Sequence, residues 1–275
     1  DDKIGKYINT SILSGLHIYK GEDYSRELTI RHLLSHTSGL PDYFQDKGTS
    51  GKSLEDELMV GNDQHWSFEQ SIERAKKIPP LFAPGTKGKA KYSDANFQLL
   101  GKIIETITGE TYAENCQKYI IQPLGLTKTY LYQDIADETP KMLYYKNNKL
   151  NIPKAMTSFG ADGGIVSISA DMLIFIEAFF TGQLFPLAYI DTLQEWNRIF
   201  PPMRAGVGIH LFKLPWIFNP TGAIPYFIGH SGLSGALAFY SPKENLYIAG
   251  TVNQTAYNDL SFRTMIALTQ RMLKK

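Results

Sequence analysis

The sequence predicts a mixed α/β fold of the α+β kind: an antiparallel sheet flanked by helices, with a helical lobe beside it. Three observations lead there. GVGIHLFKL, YFIGH, GALAFY and LYIAGTV follow one another between Gly206 and Val252. They are short runs rich in β-branched and aromatic residues, broken by turn residues, which is the pattern of consecutive antiparallel strands. Upstream, Phe97, Leu100, Ile104 and Ile107 recur at three and four residues and form one face of an amphipathic helix. The chain thus passes from a helical portion into a strand meander, and Leu260 to Lys275 closes it as an amphipathic helix with Arg271, Lys274 and Lys275 at its negative end.

The elements follow in order. Ile4, Tyr7 and Ile8 form a short apolar face. Thr29 is placed to cap a helix from Ile30 to His36, which Thr37-Ser38-Gly39 ends and Pro41 keeps from resuming. Residues 45–65 are polar, carry Gly48, Gly51 and Gly61, and read as a loop. Ser67 or its neighbour caps a helix over Phe68 to Lys77. The helix through Phe97 starts at Ser93 or Asp94 and stops at Gly109, and a capping box, Thr111 with Glu114, opens a second helix that is expected to stop before Pro123. Residues 129–158 have no clear period; Ala170 to Thr181 is an apolar helix with Asp171 near its positive end. No repeat, low-complexity segment or linker divides the chain. Residues 1–275 therefore read as a single unit with a helical lobe over about 20–160 and a strand-rich lobe over about 161–275.

Composition narrows the function. With 28 Lys+Arg against 27 Asp+Glu the formal charge is +1, and no block of like charge points to nucleic acid or to an anionic membrane as the main partner. No apolar run approaches the roughly 20 residues of a membrane helix. One cysteine, Cys116, precludes an internal disulfide and reads as an inert buried thiol. The opening, DDKIGKYI, has no initiator Met and no basic-then-apolar leader, so it reads as the interior of a longer chain.

RHLLSHTSGLPDYF, Arg31 to Phe44, gathers His32, Ser35, His36, Ser38 and Asp42 in one stretch. A serine nucleophile needs a base within hydrogen-bond reach, and neighbours this close along one helix cannot point at each other. His32 and His36 share a spacing used by metal ligands, but no HExxH glutamate and no third ligand accompany them, so no metal site is expected. The stretch reads as a structural turn, with hydroxyls satisfying the backbone and Gly39 supplying a positive φ. There is no G-x-S-x-G elbow, no phosphate loop and no cysteine pair for zinc.

LLSHTSGLPDY nonetheless resembles a signpost of the serine β-lactamase and penicillin-binding-protein superfamily, in the branch holding class C β-lactamases, D-stereospecific peptidases and esterases. Four further blocks resemble that branch in the right order: FAPGTKGKAKYSDANFQLLGKIIETITGETY, IIQPLGLTKTY, ADGGIVSISADMLIF and GHSGLSGALAFYSPKENLYIAGTVNQ. Together they cover most of the chain. The resemblance implies the β-lactamase/transpeptidase-like fold, no cofactor, and an acyl-enzyme chemistry on D-amino-acid peptides, esters or β-lactams, with a small-molecule or peptidoglycan-like substrate. It also implies a protein of the cell envelope or a secreted one.

Onto this sequence the family's Tyr-x-Asn element carries as Tyr92, Ser93 and Asp94, and its Lys-Thr-Gly or His-x-Gly element as His230, Ser231 and Gly232. The resemblance makes Tyr92, Asp94 and His230 the catalytic candidates. It makes Ser231, Gly232 and the N–H of Leu233 the oxyanion and substrate contacts. Three departures matter. No serine in the 275 residues is followed three positions later by lysine. Asp1-Asp2-Lys3-Ile4 matches the tail of the segment that follows the family's Ser-x-x-Lys helix, so the nucleophile, its lysine and the first strands of the sheet are expected upstream of residue 1. Asp94 stands where asparagine is usual; an ionised carboxylate cannot donate to a substrate carbonyl, and Asn96 is the candidate for that role. His230 replaces lysine, which favours a peptidase or esterase over a β-lactamase and predicts a pH dependence near neutrality. A non-catalytic relative that binds peptidoglycan-like ligands is the alternative. Trp66, Trp196 and Trp216 are expected in packing rather than in a groove.

Overall fold

A computed structural model describes residues 1–48, 51–257 and 259–274. The helical lobe begins with α1 (Thr10–Leu13), a two-residue hairpin of β1 (Ile18–Tyr19) and β2 (Glu22–Asp23), and α2 (Ile30–Leu34). The Thr29 hydroxyl accepts from the His32 N–H, as its N-cap position requires. The helix ends earlier than its apolar pattern suggests. Ser35 caps it, and His36 takes a left-handed φ of 56°, a conformation in which histidine is enriched among the non-glycine residues.

The expected loop 45–65 contains a helix, α3 (Leu54–Met59). Ser53 and Asp56 form a capping box at its start, and three acidic residues in its first turn suit the positive helix end. Thr49 and Ser50 lie outside the described residues. Next come α4 (Phe68–Lys76), capped by Ser67 with Gln70, and α5 (Asp94–Thr108), closed by Gly109 at φ 71°. The Thr111–Glu114 box opens α6 (Tyr112–Cys116) as predicted. The chain does not stop before Pro123: a π turn over Gln117–Ile121 leads into α7 (Gln122–Leu124). Proline then occupies a first-turn position, where its missing N–H leaves no bond unmade.

The stretch without a clear period, 129–158, holds β3 (Tyr130–Leu131), the hairpin of β4 (Leu143–Tyr145) and β5 (Asn148–Leu150), and most of α8 (Pro153–Phe159). β6 (Ile165–Val166) pairs with β3. α9 (Ser169–Thr181) and α10 (Ala188–Leu193) precede the main sheet. That sheet is an antiparallel meander of six strands among the described residues, in the spatial order β12-β11-β10-β9-β8-β7. Its members are β7 (Asn197–Phe200), β8 (Met203–Ala205), β9 (His210–Phe212), β10 (Phe227–Ser231), β11 (Leu237–Ser241) and β12 (Leu246–Gly250). The four predicted runs are the last four strands. The first two are short, flank Pro201-Pro202, and had no sequence signal of their own. α11 (Asp259–Leu273) closes the chain.

Burial follows from this arrangement. Leu28, Leu33, Leu40, Ile72 and Leu99 join the N-terminal segment to α4 and α5. Phe212, Phe227, Phe239 and Met265 lock α11 onto the sheet. Leu233, just past β10, packs against the cluster of Tyr43, Trp66 and Ala95, so the end of β10 is seated on the helical lobe. Cys116 is buried and free, and Trp66 is buried; Trp216 is 78% exposed.

Gly229 is the tightest backbone approach in β10: a Cβ there would lie 2.0 Å from the Ala238 carbonyl oxygen and 2.7 Å from the Phe239 Cα. Because both obstacles are backbone of the neighbouring strand, they cannot rotate away. Gly229→Ala is therefore expected to destabilise by about 1–3 kcal/mol, a Tm loss of several degrees in thermal melting. An unchanged Tm would mean that β10 and β11 separate freely at this point.

Candidate active site

Two elements converge at the site, the entry to α5 and the end of β10. The turn Ser35–Asp42 sets the first. Its Thr37 and Gly39 carbonyls accept from the N–H groups of Gly85 and Leu81, and the His36 carbonyl accepts from Lys91. Gly39, at φ 76°, lies so close to the Phe82 carbonyl that any Cβ would collide with it. Ser93 is the N-cap of α5, but its hydroxyl donates to the Pro41 carbonyl at 2.8 Å rather than capping the helix. Its N–H donates to Nδ1 of His36 at 3.2 Å. A nitrogen that accepts from a backbone N–H carries no proton, so His36 is the Nε2–H tautomer. That Nε2 is buried without a hydrogen-bond partner. Burial, reinforced by His230, pushes the His36 pKa down to about 3.

Tyr92 and Asp94 lie on either side of Ser93. The Tyr92 hydroxyl donates to Oδ1 of Asp94 at 2.7 Å, and the carboxylate is buried. Burial raises the Asp94 pKa well above the usual carboxylate range, and the charges of Asp42 and Asp162 raise it further. Burial and then Asp94 itself hold the Tyr92 hydroxyl well above its usual value. The charges that act here are thus anionic. Lys91, next in sequence, is turned away to Asp46 at 2.8 Å. Tyr92 stands as a neutral donor to the Asp94 carboxyl group, not as a phenolate. Asp162 is pushed up to about 8 by burial, and its Oδ2 accepts from the Tyr43 hydroxyl at 2.6 Å and from Gln98 at 3.0 Å.

His230 supplies the second element. Its Nδ1 lies 2.9 Å from the Ser231 carbonyl, which can only accept, so Nδ1 carries the proton and Nε2 keeps the lone pair. Burial lowers its pKa, so the ring is neutral at pH 7, and the expected titration near neutrality moves to lower pH. Ser231 is half-buried and Gly232 exposed. A Cβ at Gly232 would meet nothing closer than 3.8 Å, so packing does not require glycine there and approach from outside is open. Leu233 lies in the turn that the Gly232 and Gly235 N–H groups close on Ala236 and Gly232.

Rings connect the two halves. His36 stacks on Tyr92 with centroids 4.6 Å apart, His210 stacks on His230 at 4.0 Å, and His210 lies 5.8 Å from His36 and 6.1 Å from Tyr92. His210, on β9, is 4% exposed and its Nε2 has no hydrogen-bond partner. Tyr92, Asp94 and His230 are thereby brought to one place, with Ser231, Gly232 and Leu233 continuing from it. Asn96 faces inward. It is fully buried on α5, with Oδ1 accepting from Ser38 and Nδ2 3.2 Å from His36, so its amide holds the turn. The residues missed in sequence are His36, taken for a turn residue only, and His210, for which a lone strand histidine offered no signal. Among the described residues no group of three His, Cys, Asp or Glu is arranged to hold a metal, and no helix is long and apolar enough to cross a membrane.

A family model described as Beta-lactamase matches residues 1–268. The chain belongs to that family. A relative from Escherichia coli K12, named "Putative D-alanyl-D-alanine carboxypeptidase", is 33% identical over 92% of this chain and 62% of its own length. A penicillin-binding protein, 4*, of Bacillus subtilis is 24% identical over 74% of this chain and 46% of its own. The chain spans about three-fifths of the length of the curated relatives it matches first. Among solved structures, a D-stereospecific amidohydrolase from Streptomyces superposes with TM-score 0.75 at 25% identity, covering 97% of this chain and 78% of that one. The D-amino acid amidase of Ochrobactrum anthropi superposes with TM-score 0.73 at 19% identity, covering 100% and 77%. The antiparallel sheet with its helices is the fold of this β-lactamase and penicillin-binding-protein group, as the resemblance implied.

Two consequences for stability follow from the buried groups. Asp94 has a folded pKa above its unfolded value, so the folded state holds the extra proton and stability falls as pH climbs above about 4. Asp94→Asn keeps an acceptor for Tyr92 and removes this burden. Its Tm is expected to exceed that of the parent at pH 8, with the gap closing toward pH 4; a gap independent of pH would show that Asp94 is not held protonated. Histidines buried neutral act in the opposite direction: unfolded histidine gains a proton near pH 6.5 that folded His210 refuses, so stability falls as pH drops below that value, by roughly 1.4 kcal/mol per pH unit per histidine. His210→Leu should flatten the fall in Tm between pH 6.5 and 4, and an identical slope would contradict it.

Proposed function

We propose that the chain forms one side of a serine acyl-transfer site for D-amino-acid peptides, amides and esters. The nucleophilic serine and its lysine come from sequence other than these 275 residues. The observation that carries this reading is the Tyr92–Asp94 pair, bonded at 2.7 Å and joined through His210 to His230 at the end of β10. A buried carboxylate and phenol with anionic neighbours favour a cation beside them, and a lysine ammonium fits that electrostatic need. In the reaction the serine Oγ bonds to the substrate carbonyl carbon as its proton passes to the free amine of that lysine, forming the ammonium that the Tyr92–Asp94 pair stabilises. The leaving amine or alcohol takes that proton as the scissile bond breaks, and water repeats the sequence to free the acid. The Leu233 N–H is one donor to the oxyanion, and Gly232 leaves room for the substrate backbone.

The substrate class rests on two supports. The neighbours whose printed names include D-stereospecific amidohydrolase and D-amino acid amidase share the fold. His230, neutral at pH 7, offers no fixed positive charge to a substrate carboxylate, which favours amides and esters over β-lactams. Turnover of a D-amino-acid amide or ester is therefore expected to exceed that of nitrocefin, and the reverse order would sink this subclass.

The direct test is intact mass after a fluorophosphonate probe, on this chain and on a longer polypeptide that adds the upstream Ser-x-x-Lys segment to it. A single adduct on the longer polypeptide alone is expected, with Tyr92→Phe slowing its formation by about 100-fold or more. An adduct on the 275-residue chain would place the nucleophile within it. No adduct on either would establish the non-catalytic ligand-binding reading, which the lack of any Ser-x-x-Lys among these residues already allows.

A further inference from the structure

The connection from β9 to β10 lies at the end of the sheet away from His230, because Phe227 pairs with Phe212 while His230 stands three residues further along β10. It carries Trp216, Ile217 and Phe218 on one 3-10 turn, exposed by 78%, 72% and 74%. Successive side chains on such a turn point about 120° apart. All three can be this exposed only if the turn stands off the protein surface. The turn is built, not loose. The Phe218 and Asn219 N–H groups donate to Pro215 and Trp216, and the Asn219 side chain bonds both the N–H and the carbonyl of Ile224. Beside it, the Lys213 N–H reaches the Pro202 carbonyl at 3.5 Å, which joins the tip to the β7–β8 turn, where Phe200 is 53% exposed.

Charge identifies the occupant. Residues 196–243 hold Arg198, Arg204, Lys213 and Lys243 and no Asp or Glu, so this stretch carries +4 and the other 227 residues carry −3, for the chain's +1; Lys243 pairs with Glu244 at 3.5 Å, which leaves Arg198, Arg204 and Lys213 as the cations without an ion pair among the described residues. The near-zero total conceals this division. Three large apolar side chains projecting in three directions are poorly matched to one flat protein face, but a fluid interface surrounds all of them. Tryptophan and phenylalanine beside lysine and arginine suit the boundary between acyl chains and anionic headgroups.

We propose that Trp216-Ile217-Phe218 is a wedge that inserts into the interface of an anionic phospholipid surface, with Lys213 and its neighbouring cations at the headgroups. His230 would then face away from the lipid, about 10 Å beyond Phe227 by the rise of β10, and the site would stay open to solution. The proposal does not depend on the catalytic reading.

Co-sedimentation of the chain with vesicles of phosphatidylcholine and phosphatidylglycerol at 3:1 tests it. The parent chain is expected to bind, with a blue shift of tryptophan emission from Trp216, and to bind less in 0.5 M salt or on pure phosphatidylcholine. The triple variant Trp216→Ser, Ile217→Ser, Phe218→Ser should lose at least tenfold in partitioning while its circular dichroism and Tm stay unchanged. Lys213→Glu should weaken binding several-fold. Absence of binding to anionic vesicles, or binding that the triple variant retains, would overturn the wedge. A dimer in ultracentrifugation without lipid, abolished by the triple variant, would overturn it in favour of a second copy as the occupant.

Discussion

The hydrogen bond from the Ser93 N–H to Nδ1 of His36 holds the site together. It joins a turn that begins at Ser35 to a helix that begins at Asp94, and everything near it is arranged so that it persists. His36 adopts a left-handed backbone, its carbonyl receives the Lys91 N–H, Ser93 Oγ binds Pro41, and Ser38 binds Asn96. Each buried bond contributes about 1 kcal/mol net, but leaving one of these groups unpaired costs about 1–3 kcal/mol. The seam therefore tolerates little loss of any member. Its product is positional: it sets the direction in which α5 starts, and so where Tyr92 and Asp94 point.

The same seam explains why the electrostatics look unfavourable. Asp42 and Asp94 are buried carboxyls with raised pKa values, half-buried Asp162 shares that shift, and His36, His210 and His230 are all held below the ordinary histidine range, burial being the first cause each time. A fold selected for stability alone would avoid three acids and three unprotonated imidazoles in so small a volume. Clusters of perturbed groups gather where chemistry is done, and this one lies where the entry to α5 meets the end of β10. The buried acids favour positive charge beside them and the neutral imidazoles do not, so a cation is favoured on the Tyr92–Asp94 side rather than at His230.

Much of this was legible in the sequence, and the reason differs by residue. The period of Phe97, Leu100, Ile104 and Ile107, the Thr111–Glu114 box and the four strand runs are local signals, and the structure carries each of them. The helix Leu54–Met59 was also written locally, in Ser53 and Asp56, but three glycines around it outweighed that cue. Pro123 misled because its effect depends on a π turn that no short pattern announces. Asn96 sits two residues past Asp94 and was assigned outward on that nearness; its amide instead turns to Ser38 and His36, partners 58 and 60 residues away. His36 and His210 escaped for the same reason: their ring partners are distant in sequence, and no periodicity encodes such a meeting.

The most direct test of the seam is the tautomer and titration of His36, read from two-bond proton–nitrogen NMR correlations of the imidazole between pH 4 and 8, with assignment through His36→Gln. An Nδ1 that stays unprotonated and an Nε2 that keeps its proton across the whole range are expected, since the pKa lies at about 3. Titration of His36 near pH 6.5, or a proton on Nδ1, would mean that the Ser93 N–H is not bonded there, and that the entry to α5 is positioned by something else.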